Sequence, residues 1–546
     1  MKHTEFKWTV TALATLGLTL GTPLQGWTKD KSAEKGHETH HREMPPLGYV
    51  VLAEKGHALK GETVPVARLV LEHASGFSDA TCPTLTMSSG QGTPIALITR
   101  PNPNPKEMPI TICEAALPFA RKYHLHGETW TVTGTDGKTF KIQLPTVSQA
   151  PETALILGDT GCRKNKDQTC EEDWPFPTVM AEQMAAQLKK QDKPAVIIHV
   201  GDLKYRGKND DSNQMALKWN NWKADFFIPM SGSGHGPNLF AMAPWVIARG
   251  NHELCKSMGN NGEGWFYLLD PTSQVAGDSP QMVKDNSCQG VADGLTRPYR
   301  LDFANGLSLV VTDSAGLYEG KDVCSTHKQQ LIDWYKEMAQ NFKGSRQSAW
   351  LISHKPIWMA MGSCDKASFG NTTPQAALEA LEHHALPEPF KLTLVGHKHI
   401  YISLDINPND ERRRMLELGV GNGGVTLNPK VYSGCVKHEA TKESKAFQAD
   451  VRGMSRFGFV TAELEVAKNG KSLEGWKLKS MALEKTHGPK WGDFKTAEVC
   501  EFPVKTGKPA CEVKEKDFFE KACKSCDKVD GPDKQLKECR PGESVE

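Results

Sequence analysis

The sequence predicts an α/β fold preceded by a small β domain, and two changes in residue pattern support this prediction. Across residues 47–145, short alternating or β-rich runs are separated by turn residues, which is typical of antiparallel strands. From Thr153 onward, apolar strand-like runs at 154–157 and 195–200 flank a helical stretch at 179–190, and this alternation continues along the chain. Strand, helix and strand in this order indicate an α/β unit.

The chain is long enough for several domains, because its 546 residues exceed the size that one hydrophobic core usually organises. The predicted parts are, in chain order, a signal peptide at 1–26, a polar linker at 27–46, an amino-terminal β domain at 47–150, a large α/β domain at 151–485, and a Cys- and Lys-rich extension at 486–546. The β domain shows no cluster of chemically active residues, so we expect it to pack or to dock a partner that the sequence does not identify.

The composition is that of a folded soluble protein, with 38% hydrophobic residues, 24% charged residues and a formal net charge of +1. The only tight basic triplet lies at 412–414, so no nucleic-acid partner is predicted. At the amino terminus, Lys2 and Lys7 precede an apolar stretch at 8–20, which is the pattern of a signal peptide. We therefore expect an exported protein, periplasmic or secreted, without membrane contact after cleavage; an uncleaved anchor is the alternative.

Fourteen cysteines in an exported chain predict disulfides, because oxidising compartments keep such pairs bridged. The local candidate pairs are Cys82 with Cys113, Cys162 with Cys170, and Cys255 with Cys288. The segment Cys523-Lys-Ser-Cys526 has the spacing of a redox or zinc motif but lacks the strand and helix that usually surround one. Disulfide use is predicted there as well.

Five short segments carry polar side chains at the points where apolar runs stop. They are, in chain order, Leu157-Gly-Asp-Thr-Gly161, Val200-Gly-Asp-Leu-Lys-Tyr205, Arg249-Gly-Asn-His-Glu253, Ile352-Ser-His-Lys355 and Val395-Gly-His-Lys-His399. The carboxyl ends of strands in an open α/β sheet form one rim, so these segments are expected to converge in a single crevice.

The side chains of these segments are carboxylates, an amide, a phenol and imidazoles, which suit two metal ions that prefer oxygen and nitrogen over thiolate. The candidate metal ligands are Asp159, Asp202, Tyr205, Asn251, His354, His397 and His399. A lone Asp at a strand end is usually a cap, and a lone His usually belongs to the core. The prediction therefore rests on the complete ordered set.

The order of these segments resembles the calcineurin-like metallophosphoesterase superfamily. Most members begin with Asp-x-His, whereas this chain has Asp159-Thr160-Gly161 and gains Tyr205 in the second segment. The lost histidine and the added tyrosine resemble the purple acid phosphatase branch, in which the phenolate binds a ferric ion. The resemblance implies a four-layer αββα sandwich with two mixed sheets, and it makes 151–485 the catalytic domain.

Carried to this sequence, the resemblance implies a role for each ligand. Asp159, Tyr205 and His399 would bind the first metal, Asn251, His354 and His397 the second, and Asp202 would bridge both. A carboxylate can span two cations that lie about 3.5 to 4 Å apart. A phenol has an ordinary pKa of about 10, so it becomes a ligand at neutral pH only beside a strongly acidic cation. Iron(III) is therefore the ion expected at the first metal position. Zinc, manganese or iron(II) would suit the second position.

The implied reaction is hydrolysis of a small-molecule phosphate ester, expected to be a monoester because of Tyr205. The metals would clamp the phosphate oxygens and generate a hydroxide that attacks phosphorus in line with the leaving group. His252, next to Asn251 in sequence, is the expected general acid, with a loop-orienting role as the alternative. Arg249 and Arg163 lie near ligands in sequence and could bind phosphate or be structural, and they stay outside the predicted site.

Two other functions remain open from the sequence. A phosphodiesterase or nucleotidase of the same fold would use the same ligands with a different substrate. A noncatalytic exported binding protein would keep the fold, but such a protein is expected to lose metal ligands, and the full set is present.

Overall fold

A computed structural model describes residues 44–528, apart from 58, 74–80, 89–92, 172, 209–210, 212–213, 234–235, 318–326, 346, 363–367, 370–371, 440–444, 485–490, 507 and 524–526. The predicted signal peptide and nearly all of the predicted linker lie outside the described residues. From Arg42 onward the chain forms one compact unit. None of the helices in the described part combines the length and the apolar character needed to cross a membrane.

The strands and helices of the described residues alternate in the central part of the chain. The strands are β1 (Leu47–Glu54), β2 (Thr63–Glu72), β3 (Thr84–Met87), β4 (Ile95–Ala96), β5 (Ile98–Thr99), β6 (Ile110–Ala116), β7 (Glu128–Thr133), β8 (Thr139–Leu144), β9 (Thr153–Leu157), β10 (Ala195–His199), β11 (Trp245–Ile247), β12 (Tyr299–Asp302), β13 (Leu307–Val311), β14 (Ser348–Ile352), β15 (Ala360–Met361), β16 (Ser368–Phe369), β17 (Phe390–Val395), β18 (Tyr401–Ile406), β19 (Met415–Val420), β20 (Gly434–His438), β21 (Phe447–Met454), β22 (Gly458–Val466), β23 (Leu473–Leu483), β24 (Phe494–Pro503), β25 (Ala510–Val513) and β26 (Asp527–Lys528). The α-helices are α1 (Ala181–Gln191), α2 (Trp219–Trp222), α3 (Ile228–Ser231), α4 (Asn261–Leu268), α5 (Pro280–Asp285), α6 (Lys328–Asn341) and α7 (Thr372–Glu379).

Two large mixed sheets organise the described part of the chain. The strand order of the first is β25-β24-β23-β22-β9-β10-β11-β1-β2-β6-β5. The strand order of the second is β12-β13-β14-β17-β19-β18-β21-β20-β26. Strands β9, β10, β11 and β1 are parallel in the first sheet, and β13, β14, β17 and β19 are parallel in the second. The central strands are buried along their whole length, as expected for parallel strands that are covered on both faces.

Alternate side chains of the central strands point into different layers. Ile156 of β9 and Trp350 of β14 belong to one core that lies between the two sheets. Leu155 packs outward with Leu188 of α1, whereas Leu351 packs outward with helix α6 on the other side. The layers are therefore helix, sheet, sheet and helix, which confirms the predicted αββα sandwich.

The amino-terminal strands divide between two sheets. Strands β1, β2, β6 and β5 continue the first large sheet, because β1 pairs in parallel with β11. Strands β4, β3, β7 and β8 form a separate four-stranded sheet. At the opposite edge of the first sheet, β24 and β25 come from the predicted extension. The predicted boundaries at residues 150 and 485 thus fall within a sheet that strands from both sides share.

The predicted disulfides are present wherever the structure describes them. The bridges join Cys82 to Cys113, Cys162 to Cys170, Cys255 to Cys288, and Cys500 to Cys511. Cys435 and Cys523 are also disulfide-bonded. The three local pairs expected from the sequence are therefore confirmed, and the described part contains no free cysteine.

A buried ion cluster ties the amino-terminal strands to the segment after α4. Glu114 of β6 accepts hydrogen bonds from Arg68 Nε at 2.8 Å, from Arg100 Nη1 at 3.0 Å and from Ser273 Oγ at 2.9 Å. Arg68 also donates to the carbonyl of Leu268 at 2.6 Å. Burial opposes the charge of Glu114, but Arg100 and Arg68 together hold the pKa of its carboxyl below the ordinary value. Two cations share one carboxylate, so the cluster depends on this residue.

Replacing Glu114 with Gln is expected to lower the free energy of unfolding by about 3 kcal/mol at pH 7, because two buried guanidinium groups lose their nearest counter-charge. The pKa of Glu114 is lower in the folded state than in the unfolded state. Its stabilising effect is therefore present at neutral pH and is lost as the pH falls through the folded-state pKa. The difference between the proteins should therefore shrink below about pH 4. Urea unfolding at pH 7 and below about pH 4 measures this difference in unfolding free energy. The control is Glu501→Gln, because Glu501 forms an exposed pair with Lys477. A constant difference would contradict the account.

Candidate metal centre

The carboxyl ends of five strands from the two sheets meet at one edge of the sandwich. In the first sheet, β9, β10 and β11 end just before Asp159, Asp202 and Asn251. In the second sheet, β14 and β17 end just before His354 and the 397–399 turn. Backbone hydrogen bonds between the segments continue beyond the strand ends, since Asp159 N donates to Gly201 O at 3.0 Å. The strand ends thus hold the five segments against one another.

The first group of donors surrounds the phenol of Tyr205. Its oxygen lies 3.0 Å from Asp159 Oδ1, 2.9 Å from Asp202 Oδ2 and 3.1 Å from His399 Nε2. His399 Nε2 and Asp159 Oδ1 are 3.5 Å apart. Four side chains from three strand ends therefore bring donor atoms into one small volume.

The second group of donors surrounds the amide oxygen of Asn251. This Oδ1 atom lies 3.0 Å from His354 Nε2 and 2.7 Å from His397 Nδ1. His354 Nε2 is 3.3 Å from Asp202 Oδ2. Asp202 therefore joins both groups, and its carboxylate lies within 4.8 Å of His354 and His397 on one side and of Asp159 and His399 on the other.

Several of these residues adopt left-handed backbone conformations that are uncommon outside glycine. The φ angles are 55° at Asp159, 55° at Asp202, 75° at His397 and 51° at His399. Such conformations cost free energy and persist where surrounding contacts fix them, which is frequent at functional sites. A Cβ atom at Gly250 would lie 2.1 Å from Asp202 Oδ1, so only glycine permits this approach of the two loops.

Glu253 fixes the loop that carries Asp202. The carboxylate is buried and accepts hydrogen bonds from the backbone N atoms of Asp202 at 3.0 Å, Leu203 at 2.9 Å and Lys204 at 3.2 Å. It also accepts from Gly250 N at 2.9 Å and so joins the loops after β10 and β11. Burial, with the charge of Asp202, raises the pKa of Glu253 to about 7. This side chain therefore fixes the backbone position of Asp202.

Backbone carbonyls orient the imidazoles. Nδ1 of His354 lies 2.9 Å from Val200 O, and Nδ1 of His399 lies 3.1 Å from Thr426 O. These contacts leave Nε2 of each ring for the donor groups, as outer contacts of metal-binding histidines usually do. Ser314 Oγ accepts from His354 N at 3.2 Å and fixes the backbone beneath it. Ser314 follows β13 at the same rim, so the strand-end signal could have identified it.

His252 lies against the first donor group. Its backbone N donates to Asp202 Oδ1 at 2.9 Å, and its ring centroid is 4.2 Å from that of Tyr205. Asn261 Nδ2 donates to the carbonyl of His252 at 2.6 Å. Burial lowers the pKa of the imidazole to about 4, against the opposing charge of Asp202. The Nδ1 atom makes no hydrogen bond within the described residues.

The electrostatics of the centre suit cations. Burial raises the pKa of Asp159 well above its ordinary value, with Asp202 adding to the effect. Burial and both carboxylates also raise the pKa of Tyr205 well above its usual range. Positive charge between these groups would relieve this repulsion, and the oxygen and nitrogen donors are those that iron, zinc and manganese accept. The residues present therefore fit a pair of metal ions.

The two arginines near the predicted ligands differ in their surroundings. Arg249 is buried and pairs with Asp313 at 2.9 Å, so it supports the loop from within. Arg163 is partly exposed at the rim. All seven predicted ligand side chains are brought together with His252 beside them, whereas Arg249 is turned away into a structural pair.

Comparisons with known proteins match the chain at the level of family and fold. Residues 153–401, which include every predicted ligand, match the family described as calcineurin-like phosphoesterase. The fold is similar to that of the purple acid phosphatase PPD1 isolated from yellow lupin (Lupinus luteus) seeds, with a TM-score of 0.50 and 12% identity over 83% of this chain and 74% of that chain. No curated protein sequence is significantly similar to the chain. The family implies metal-dependent hydrolysis of phosphate esters at a centre of two metal ions.

Replacing Glu253 with Gln is expected to weaken zinc binding by about 10- to 100-fold. In the unmodified protein the backbone N–H groups share the two oxygens of the carboxylate, whereas the amide of glutamine has only one acceptor oxygen. Equilibrium competition with a chelator measures the zinc affinity. Glu263→Gln, in α4 and outside the centre, is the matched control. Unchanged affinity in the Glu253 variant would show that the Asp202 loop needs no such support.

Proposed function

We propose that this chain, whose residues 153–401 belong to the calcineurin-like phosphoesterase family, is an exported two-metal hydrolase of phosphate monoesters. The observation that carries the proposal is the position of Asp202, whose carboxylate belongs to both donor groups. Export is supported by the described disulfides, which form and persist in oxidising compartments.

The two donor groups would hold one metal ion each. Asp159, Asp202, Tyr205 and His399 would bind the first ion, and Asp202, Asn251, His354 and His397 the second. When bound, the ions would neutralise phosphate charge and activate water as the nucleophile. Burial and two carboxylates oppose ionisation of the Tyr205 phenol, so its binding as phenolate requires a strongly acidic cation, for which iron(III) is the best fit. Zinc, manganese or iron(II) would suit the amide and imidazoles of the second group.

His252 is proposed as the proton donor for the leaving group. Its ring lies over Tyr205, and its backbone is held by Asp202, so the imidazole is fixed at the edge of the centre. As water adds to phosphorus and releases one proton to solvent, the bond from phosphorus to the leaving oxygen breaks, and that oxygen takes a proton from the protonated ring of His252, which becomes neutral imidazole. The partly exposed position of His252 gives this group access to a bound ester.

The first test compares p-nitrophenyl phosphate with bis-p-nitrophenyl phosphate as substrates. We expect the monoester to be preferred and Asp202→Asn to lower kcat/KM by at least about 100-fold, because both donor groups lose a charge. Asp450→Asn, at an exposed position of β21, is the control. Preference for the diester would support the phosphodiesterase instead, and inactivity of the metal-loaded protein on both would support a binding protein.

The same assay tests His252 through the leaving group. His252→Asn should slow phenyl phosphate more than p-nitrophenyl phosphate, because the poorer leaving group depends more on protonation. Equal slowing of both esters would indicate that His252 only orients its loop.

A further inference from the structure

A segment near the carboxyl terminus runs along the same end of the sandwich as the donor groups. We call residues 514–523 the strap. It follows β25, whose last residue, Val513, lies level with Ile156 near the carboxyl end of β9 through the register of the strands between them. It then reaches Gly453 in β21, which lies level with Gly419 near the carboxyl end of β19. The strap therefore joins the two large sheets at the end where the metal ligands lie.

Both ends of the strap are anchored. Before its start, the bridge between Cys500 and Cys511 ties β25 to β24. At its far end, Cys523 N donates to Ser433 O at 3.0 Å, and Cys523 is itself disulfide-bonded. A segment held in this way can fix the position of the loops that it touches.

The middle of the strap contacts the turn between β21 and β22, residues 455–457. The guanidinium carbon of Arg456 lies 4.2 Å from the centre of the Phe518 ring, which is a cation–π contact. Arg456 Nη1 also donates to the carbonyls of Leu483 and Glu484 at the end of β23. The Phe518 ring and these carbonyls together fix the side chain of Arg456.

The β21–β22 turn holds the loop between β19 and β20, residues 421–433. Asn422 Nδ2 donates to Arg456 O at 2.8 Å, and Asn422 O accepts from Gly458 N at 3.0 Å. Ser455 Oγ donates to Asn428 O at 2.9 Å. Asn422 is 1% exposed, so its hydrogen bonds are shielded from water. The turn therefore fixes the β19–β20 loop at two points.

Between these two points the β19–β20 loop contacts ligands of the first donor group. Val425 N donates to Asp159 O at 3.0 Å. Thr426 O lies 3.1 Å from Nδ1 of His399, and Asn428 N donates to His399 O at 3.1 Å. The backbone and the ring of His399 thus both take their positions from this loop.

A second contact leads from the strap toward the same ligand. The Phe519 ring packs edge-on against Tyr401, with 6.3 Å between the ring centres, and Tyr401 lies two residues after His399. The second donor group takes its support from other parts of the chain, since Nδ1 of His354 lies 2.9 Å from Val200 O after β10. The strap therefore bears on the first donor group rather than on the second.

We propose that Phe518 and Arg456 are positioning residues, through which the strap sets the metal affinity of the first donor group. Both act through the β21–β22 turn and the loop that orients His399. The inference rests on the metal binding of the proposed function and does not depend on any substrate. It assigns the predicted Cys- and Lys-rich extension a role in the metal centre.

The test measures zinc affinity at each position separately, by equilibrium competition with a chelator. His354→Ala leaves the first donor group intact to bind one zinc ion, whereas His399→Ala leaves the second. Adding Phe518→Leu should weaken zinc binding about three- to fivefold in the His354→Ala protein and less than about 1.5-fold in the His399→Ala protein, because the cation–π contact is lost. Phe518→Trp should keep the affinity of the unsubstituted residue, because its ring also offers a face to the guanidinium.

A matched control removes a similar contact at a distance from the centre. The Phe342 ring lies 4.1 Å from the guanidinium carbon of Arg300 and packs against Phe390 at the start of β17. Phe342→Leu should leave the zinc affinity of both positions unchanged. The route is tested by combining Phe518→Leu with Asn422→Ala. Because both act through the β21–β22 turn, their joint effect on the first position should be smaller than the product of their separate effects.

Four results would overturn the inference. Equal weakening at both positions, or an equal loss in Phe342→Leu, would mean that Phe518 only supports the fold. Unchanged affinity at the first position would mean that the strap does not act on it, and fully multiplicative effects with Asn422→Ala would contradict the route through the turn. Zinc binding without hydrolysis of any ester would contradict the proposed function alone, whereas a protein that binds no zinc at either position would contradict both.

Discussion

The contact between the two sheets is the constraint on which the rest of the structure depends. Ile156 and Trp350 meet in one apolar core, and the tight packing of such a core fixes the relative position of the sheets. The carboxyl ends of their parallel strands then face each other at one edge. Donors as distant in sequence as Asp159 and His399 meet there because the core aligns the strands that carry them.

The centre combines strained backbone with concentrated negative charge. Left-handed conformations at Asp159 and Asp202 turn both side chains into the crevice, and Glu253 holds the second turn through backbone hydrogen bonds. Two carboxylates and a phenol then share a buried volume in which burial raises the pKa of Asp159 and Tyr205. An arrangement of this kind destabilises the protein when no cation is bound, and bound cations would make it favourable. This is the physical reason to regard it as a metal site.

The sequence predicted the features that depend on local patterns. Polar ligand types directly after apolar strands identified the segments that converge, and nearby cysteines identified three disulfides. Features that depend on distant pairing were missed. Strand β1 pairs with β11 across almost 200 residues, so nothing within residues 47–150 indicated that the first sheet extends into them. Glu253 acts on backbone N atoms about 50 residues away, and the ion pair that makes Arg249 structural is with Asp313, which is also distant in sequence.

The most direct test of the central claim is metal analysis together with a visible absorption spectrum of the purified protein and of its Tyr205→Phe variant. The account predicts about two metal ions per chain and a broad visible band from a ferric phenolate that disappears in the variant. Two ions without that band would leave a two-metal phosphoesterase but contradict iron bound by Tyr205. A folded, metal-replete protein that retains no stoichiometric metal would contradict the claim that these seven side chains form a metal centre.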